Sequence, residues 1–535
     1  MATTTDPAPN ADFAAERPSA AQTEVCVGDQ ARFPYRTITM GLIGSIVVLL
    51  ASLGAGGILI RDPIIGTGPL SWMRYGHGKA LSTAVLYVGF GLLVWAWVRL
   101  GRYALAGRIG TKPIVIAALA WMAPLLIAPP LFTRDVFSYL GQGAQLLYGL
   151  DPYSYGPAAL DVLPDVVQNV HPLWQTTPAP YGPLFLLIAK GTVAVTGNNM
   201  IAGVIVTRVI LLLGLAGMLW ALPRLVKHLG GRLPVTMWLA VASPMMVIHL
   251  VGGPHNDLLM LGLLTIGVLA ALERHHAVAI ALVTVGMLIK PTAAVALPFL
   301  VWVWANHLPE EESLRRRFFK AVTPSLGIFG VVFVVGTWVS LGSFNLGWVG
   351  GLQAPGLIVN WLNAPSGVGE LFYTLVNAIV DVQPSPFITV ARAIGWALLA
   401  AFLVRQWWLA RRGGNEAILR MAMALLAVAI LAPPTLPWYL TWGFVIASAF
   451  PWRRIHLAGV VAISMVLVLV YYPTGEQSLY DWWFVAGVIA ASLYGAASLL
   501  KPDPLGLIAA WRRPAKDEKP EREKPEDEKA DVHSG

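Results

Sequence analysis

The feature that most constrains this chain is a succession of apolar runs, each close to the length that crosses a bilayer. Clear runs cover about 37–60, 80–100, 112–132, 200–222, 234–251, 255–272, 277–304, 321–341, 387–410, 417–433, 436–450, 455–472 and 480–500. A hydrocarbon core about 30 Å thick takes about 20 helical residues per span. Only 12% of the residues are charged and 56% are hydrophobic. An ordinary soluble domain carries about 25% charge, so a soluble chain of this composition would lack the polar surface to cover itself. A soluble enzyme, a nucleic-acid-binding domain and a disordered chain are excluded. The expected fold class is an all-α polytopic membrane protein with about 12–14 membrane helices and further interfacial helices in its loops.

Three regions follow. Residues 1–36 are polar, rich in Ala, Thr and Pro, and read as a disordered cytoplasmic tail rather than a signal peptide. Residues 37–500 form the transmembrane region, with a large external loop at 133–182. Residues 501–535 read as a second disordered cytoplasmic tail, with Lys, Glu, Asp and Pro alternating from Pro514 onward. Cys26 is the only cysteine, so no intramolecular disulfide or cysteine metal site can form. The net charge of +8 comes mainly from Lys and Arg flanking the apolar runs and is not a nucleic-acid signal.

Basic residues orient the spans. Arg99, Arg102, Arg108 and Lys112 place the loop between the second and third runs in the cytoplasm. Two short runs, 183–196 and 366–381, read as re-entrant or interfacial. The long run 277–304 is interrupted by Lys290–Pro291 and reads as two short helices, because proline breaks a helix and disfavours helical geometry before it. Both termini then fall in the cytoplasm of a plasma-membrane protein, and the unusual polar residues collect outside.

Asp135 is the first of these, at the end of a span in the segment PLFTRDVFSYLGQGAQLLYGLDPYSYGP. Val136, Tyr139, Leu140, Gly143, Leu146 and Leu147 recur at helical spacing, which predicts an amphipathic helix along the membrane surface. It ends at Gly149, and Asp151–Pro152 opens a turn. A carboxylate where a span meets such a helix is placed to act as a base; the plainer alternative is a charge marking the water boundary. Gly252-Gly253-Pro254-His255-Asn256-Asp257 is a short turn in which Asn256 or Asp257 can cap the next helix. Capping leaves His255 unaccounted for. Lys290 is costly within an apolar run unless it snorkels or pairs, and an ammonium at a helix break suits a phosphate. Trp348, Trp361, Trp438, Tyr439 and Trp442 read as an interfacial aromatic belt or as platforms for a sugar ring. No Walker loop, dinucleotide glycine pattern, metal-ligand spacing, nucleophile elbow or DxD motif is present.

The segments TRDVFSYLGQGAQLLYGLDPYSYGP, PAPYGPLFLLIAK, GGPHNDLLMLGLL, LIKPTAAVALPFLVW and APPTLPWYLTWG run in order from about residue 130 to 445. As an ordered set they resemble the polyprenol-phosphomannose-dependent α-1,6-mannosyltransferases of mycobacteria and corynebacteria, the MptB type most of all. The resemblance implies a GT-C helical bundle whose first large external loop carries the catalytic acid, and Asp135 is the matching residue. It implies a polyprenyl (decaprenyl) phosphomannose donor, a mannosylated glycolipid acceptor of the lipomannan and lipoarabinomannan series, and an extracytoplasmic site. On this reading Lys290, Arg134 and His255 hold the donor phosphate. Tyr139, Asp151, Tyr153, Tyr181, Asn256, Asp257, Trp438 and Tyr439 face substrate. Beyond membrane lipids, no nucleic acid or other cofactor is expected, and no metal is required in principle, a bound divalent ion being left open. The alternatives are another lipid-phosphosugar transferase (arabinosyl or protein O-mannosyl) or a polar-lipid flippase. The flippase lacks support from any repeat between the two halves.

Overall fold

A computed structural model describes residues 33–475 and 478–505. The expected tails, with Cys26, lie outside the described residues apart from their inner edges. Most of the described residues are helical. The helices are α1 Tyr35–Ala55, α2 Gly76–Leu105, α3 Thr111–Leu125, α4 Asp135–Leu147, α5 Pro164–Asn169, α6 Pro172–Gln175, α7 Pro183–Thr196, α8 Met200–Leu229, α9 Leu233–Ala240 and α10 Asp257–Leu272. They continue as α11 His276–Ile289, α12 Leu297–Asn306, α13 Leu314–Leu341, α14 Trp348–Gly351, α15 Ala364–Asn377, α16 Pro384–Leu409, α17 Gly414–Leu431, α18 Thr441–Ala447, α19 Arg454–Leu469 and α20 Trp482–Leu500. Among the described residues seven helices are long and apolar enough to cross a membrane. α9 and a π-helical turn at Met245–Gly252, with a 43° bend between them, make an eighth if the pair is counted as one span. Six shorter apolar helices, α7, α10 and α11 among them, fill in the bundle. The chain is an all-α, multi-pass membrane protein.

The helix ends obey local chemistry. Asn199, Ser313, Asn363 and Asp481 each accept a first-turn backbone N–H at the starts of α8, α13, α15 and α20. Gly230 and Gly342 close α8 and α13 in the left-handed conformation that glycine adopts without strain. Close packing needs small residues as well. A side chain at Gly214 or Gly262 would run into the facing backbone, so these two let α8 and α10 approach each other directly.

The run 277–304 does break at Lys290. Its backbone is extended there (φ −140°, ψ 117°), and a 3₁₀ turn over Pro291–Ala296 precedes α12. The short run 183–196 forms α7, of 14 residues. One expectation needs correcting. The helix from Asp135 does not lie open along a surface. Val136 to Gln145 are all buried, because α7 and α8 cover one flank and the rest of the 133–182 loop folds over another. Gly143 has no room for a side chain against the Ala189 backbone, which is how closely α4 rests on α7.

Candidate active site

Three chain segments converge at the start of α4. The strand of backbone after α3 is pinned twice: Leu131 N–H donates to the Gly252 carbonyl at 3.2 Å, and Phe132 N–H to the Pro473 carbonyl at 2.8 Å. Phe132 takes a left-handed conformation there (φ 62°), a strained one for a bulky residue. The next turn begins with Thr133, whose Oγ1 accepts the Asp135 N–H at 3.0 Å. Behind both segments sits Arg208 of α8, only 2% exposed. Its guanidinium donates to the carbonyls of Leu126 and Ala128 after α3, and to those of Val251 and Gly252 at the end of the π-helical turn. One side chain thereby holds together the segments that deliver Asp135 and His255.

Asp135 Oδ2 lies 3.6 Å from His255 Nδ1. The His255 ring stacks on Trp438, centroids 3.6 Å apart and planes 19° from parallel. Burial, then the nearby Lys290 charge, push the His255 ring well below the usual histidine range, so it is neutral. Burial also raises the Asp135 carboxyl, to about 6; the Thr133 hydrogen bond and Lys290 oppose that rise without cancelling it. The carboxyl remains 23% exposed.

Lys290 Nζ is 2.7 Å from Asp257 Oδ2. The other Asp257 oxygen accepts from Trp442 Nε1. Lys290 also lies over the rings of Tyr439 and Trp442, 4.7 Å and 5.4 Å from their centroids. Asp257 is therefore not a helix cap; it is fully buried and spends both oxygens on positioning Lys290 and Trp442. Asn256 occupies the cap position but makes no side-chain cap bond. The N–H of Gly182 donates to the Ile289 carbonyl at 3.2 Å, which ties the far end of the 133–182 loop to the same break.

Asp135 and Lys290 line one cavity of 380 Å³, together with Arg134, Tyr139, Tyr181, Trp438 and Tyr439. That size suits a small ligand. The lining includes polar atoms buried without a hydrogen-bond partner among the described residues: Ser138 Oγ, Gln142 Oε1, Thr292 Oγ1 and Thr474 Oγ1. Buried polar groups are normally satisfied, so such a set suits water or the polar groups of a ligand. The lining also includes apolar side chains, Leu352, Ile358, Trp396, Val428 and Leu436.

Not every candidate from the sequence reaches this cavity. Arg134 borders it, but its guanidinium donates to the carbonyls of Ile58 and Asn169 and lies 5.5 Å from the Phe137 ring. Asp151 builds its own turn instead, accepting from Tyr153 N–H and Ser154 Oγ. Tyr153 is buried and donates to the Tyr181 carbonyl at 2.9 Å. His255, Asn256 and Asp257 stand behind the lining, all buried. Trp348, Trp438 and Trp442 are not a lipid-facing belt: they are 7%, 5% and 2% exposed and lie within the bundle. Sequence reasoning missed Ser138, Gln142, Thr292, Thr474 and Arg208. A signal existed for two of them. Asp135, Ser138, Tyr139 and Gln142 are spaced as one face of a helix, beside the apolar stripe and sharing Tyr139 with it.

The comparisons with known proteins agree with this architecture. Residues 38–306 match the family profile described as alpha-(1->6)-mannopyranosyltransferase, N-terminal domain, and residues 365–501 match the MptB C-terminal domain. The chain is 37% identical over 476 residues to alpha-(1->6)-mannopyranosyltransferase A of Mycobacterium tuberculosis, covering 88% of this chain and 91% of that one. It is 32% identical to alpha-(1->6)-mannopyranosyltransferase A of Corynebacterium glutamicum over 85% of this chain and 96% of the relative. Against alpha-(1->6)-mannopyranosyltransferase B of the same organism it is 27% identical, over 86% of this chain and 79% of the relative. The two relatives named A thus share more identity with the chain than this one named B. No solved structure matches the chain. The chain therefore belongs to the alpha-(1->6)-mannopyranosyltransferase family and is a membrane-embedded mannosyltransferase.

Proposed function

We propose that the chain transfers mannose from polyprenyl phosphomannose to the 6-hydroxyl of an α-1,6-mannan acceptor, with inversion, on the extracytoplasmic side of the plasma membrane. The observation that carries this reading is that Asp135 and Lys290 line one cavity whose lining is part polar and part apolar. A lipid-linked sugar phosphate is a molecule of that kind: hydroxyls, one anionic centre and a hydrocarbon chain.

Asp135 takes the proton of the acceptor 6-hydroxyl as that oxygen attacks the anomeric carbon. The bond from that carbon to the phosphate oxygen breaks, and its electron pair leaves with the polyprenyl phosphate. Lys290 faces the phosphate and stabilises the charge that grows on it. Asp257, Tyr439 and Trp442 hold the ammonium in place before substrate arrives. His255, neutral and stacked on Trp438, lies beside Asp135 without competing for its charge. A single displacement turns a β-linked donor into an α-linked product. The hydroxyls of the donor sugar and acceptor meet Ser138, Gln142, Thr292 and Thr474, and the first isoprene units lie along Leu436 and Val428.

The test uses the purified full-length chain with radiolabelled polyprenyl phosphomannose and a short α-1,6-mannoside. Transfer to the 6-position with α configuration at the new bond is expected. A β product, another linkage, or transfer only from a nucleotide sugar would each sink the proposal.

A further inference from the structure

A second concavity, of 530 Å³, lies at the other end of the bundle. Two helices measure the separation. On α2, Tyr87 donates to the Tyr471 carbonyl at the catalytic cavity, and Arg102 follows 15 residues later, about 22 Å along the helix axis. On α20, Phe484 packs against Tyr87 and Tyr472, and Leu499 is again 15 residues on. The concavity is thus most of a hydrocarbon thickness away from the catalytic cavity.

Arg99, Arg102, Arg108 and Arg454 line it, with Trp95 and Tyr103 beside them and Leu105, Leu499 and Leu500 on the apolar side. No carboxylate is among the described lining residues. None of the four arginines makes an ion pair among the described residues. Asp503, the acidic residue nearest in sequence to the lining residue Pro502, is not part of the wall. Arg102 is preset: it donates to Ser498 Oγ at 3.0 Å and stacks 5.0 Å from the Trp95 ring, while its buried Nε has no hydrogen-bond partner.

We propose that this pocket binds the phosphate of an anionic phospholipid headgroup at the membrane face opposite the catalytic cavity. Orienting the chain in the membrane requires only that basic residues lie in a loop. It does not require four of them, from both ends of the sequence, to converge on one concavity. Like charges gathered with no carboxylate among the described lining residues repel one another, and a bound anion removes that cost. The guanidinium fork matches a phosphate in two directions at once, which an ammonium does not. The leucine side gives the first acyl carbons a place beside the headgroup. Basic pockets between helices at the cytoplasmic surface take anionic headgroups in this way. The inference is independent of the catalytic reading.

Native mass spectrometry of the detergent-purified full chain tests it, with phosphatidylglycerol, phosphatidylcholine and inorganic phosphate as probes. Wild type should retain phosphatidylglycerol at least about tenfold more tightly than phosphatidylcholine. The triple variant Arg99→Gln, Arg108→Gln, Arg454→Gln should bind the two lipids alike. A triple variant at Arg315, Arg316 and Arg317, each to Gln, removes the same charge elsewhere and should keep the preference. If the first triple does not insert, Arg99→Lys, Arg108→Lys, Arg454→Lys preserves the orienting charge and should still lose about threefold or more. Equal binding of the two lipids by wild type overturns the proposal. So does an unchanged preference in the site variants, or inorganic phosphate binding as tightly as the lipid.

Discussion

Lys290 and Asp257 stand 33 positions apart in sequence and 2.7 Å apart in space. Each sits at a helix boundary, Lys290 closing α11 and Asp257 opening α10. The pair separates two functions that a lone lysine would confound, support of the fold and contact with substrate. Removing either partner strands a buried charge, at a cost of about 3–5 kcal/mol, whereas replacing both costs less. Lys290→Met and Asp257→Asn alone should each lower thermal stability in detergent. The double variant should recover much of that loss but transfer no mannose. A double variant with turnover within about twofold of wild type, under roughly half a kcal/mol, would remove Lys290 from the donor site.

Asp135→Asn keeps the size of the side chain and the start of α4. It removes the proton acceptor, so transfer should fall at least about a hundredfold, the scale of general-base loss, while expression and melting temperature hold. Near-normal turnover in a membrane assay would show that another group takes the proton.

The raised affinity of Asp135 for its proton sets a pH limit. The base works only when deprotonated, and burial lifts its titration to about 6. The transfer rate should be flat above neutrality and decline as pH falls through about 6, approaching tenfold per unit below it. Asp135→Asn should flatten whatever activity remains. A profile falling instead on the alkaline side would contradict the assignment.

Arg208 touches no part of the cavity, yet it gathers four carbonyls from two helix ends. Arg208→Met removes their shared donor, at about 1–3 kcal/mol for each one that finds no other partner; Gly252 keeps the Leu131 N–H. The expected result is a much lower yield of folded protein. Arg208→Lys should restore part of the thermal stability but not the alignment, so its turnover should stay below wild type once corrected for folded protein. Full activity in both variants would make the clamp dispensable.

Sidedness is open to direct labelling. In a Cys26→Ser background, single cysteines within 155–175 and 345–360 should react with an impermeant maleimide in intact cells. Cysteines within 99–112, 224–232 and 315–320 should react only after permeabilisation. Labelling of 315–320 in intact cells would invert the arrangement.

What the sequence made legible follows from the range of the interactions. Helix positions, the break at Lys290 and the start of α4 at Asp135 depend on hydropathy, proline and neighbours within a turn, all of which are local. The partner of Lys290 is not local: nothing around Asp257 distinguishes a helix cap from one half of an ion pair with α11. Trp438 and Trp442 are ambiguous for the same reason, since a tryptophan near a span end looks alike whether it faces lipid or His255. Arg208 was legible by the rule that singled out Lys290, a charge inside an apolar run. Unlike Lys290, it has no proline beside it to mark a break in the run.

The ion pair also bears on how the chain enters the membrane. α10 and α11 are consecutive, and both are complete before α12 to α20 have been made. An aspartate or lysine travelling alone into hydrocarbon costs about 2.5–3.5 kcal/mol at the centre of a helix. Asp257 and Lys290 reach the translocation machinery within one hairpin's length of each other, so they can neutralise one another as they leave it. Trp442, the third partner, emerges some 150 residues later. Lys290 can therefore meet its counter-charge during synthesis, before the aromatic residues that surround it have been made.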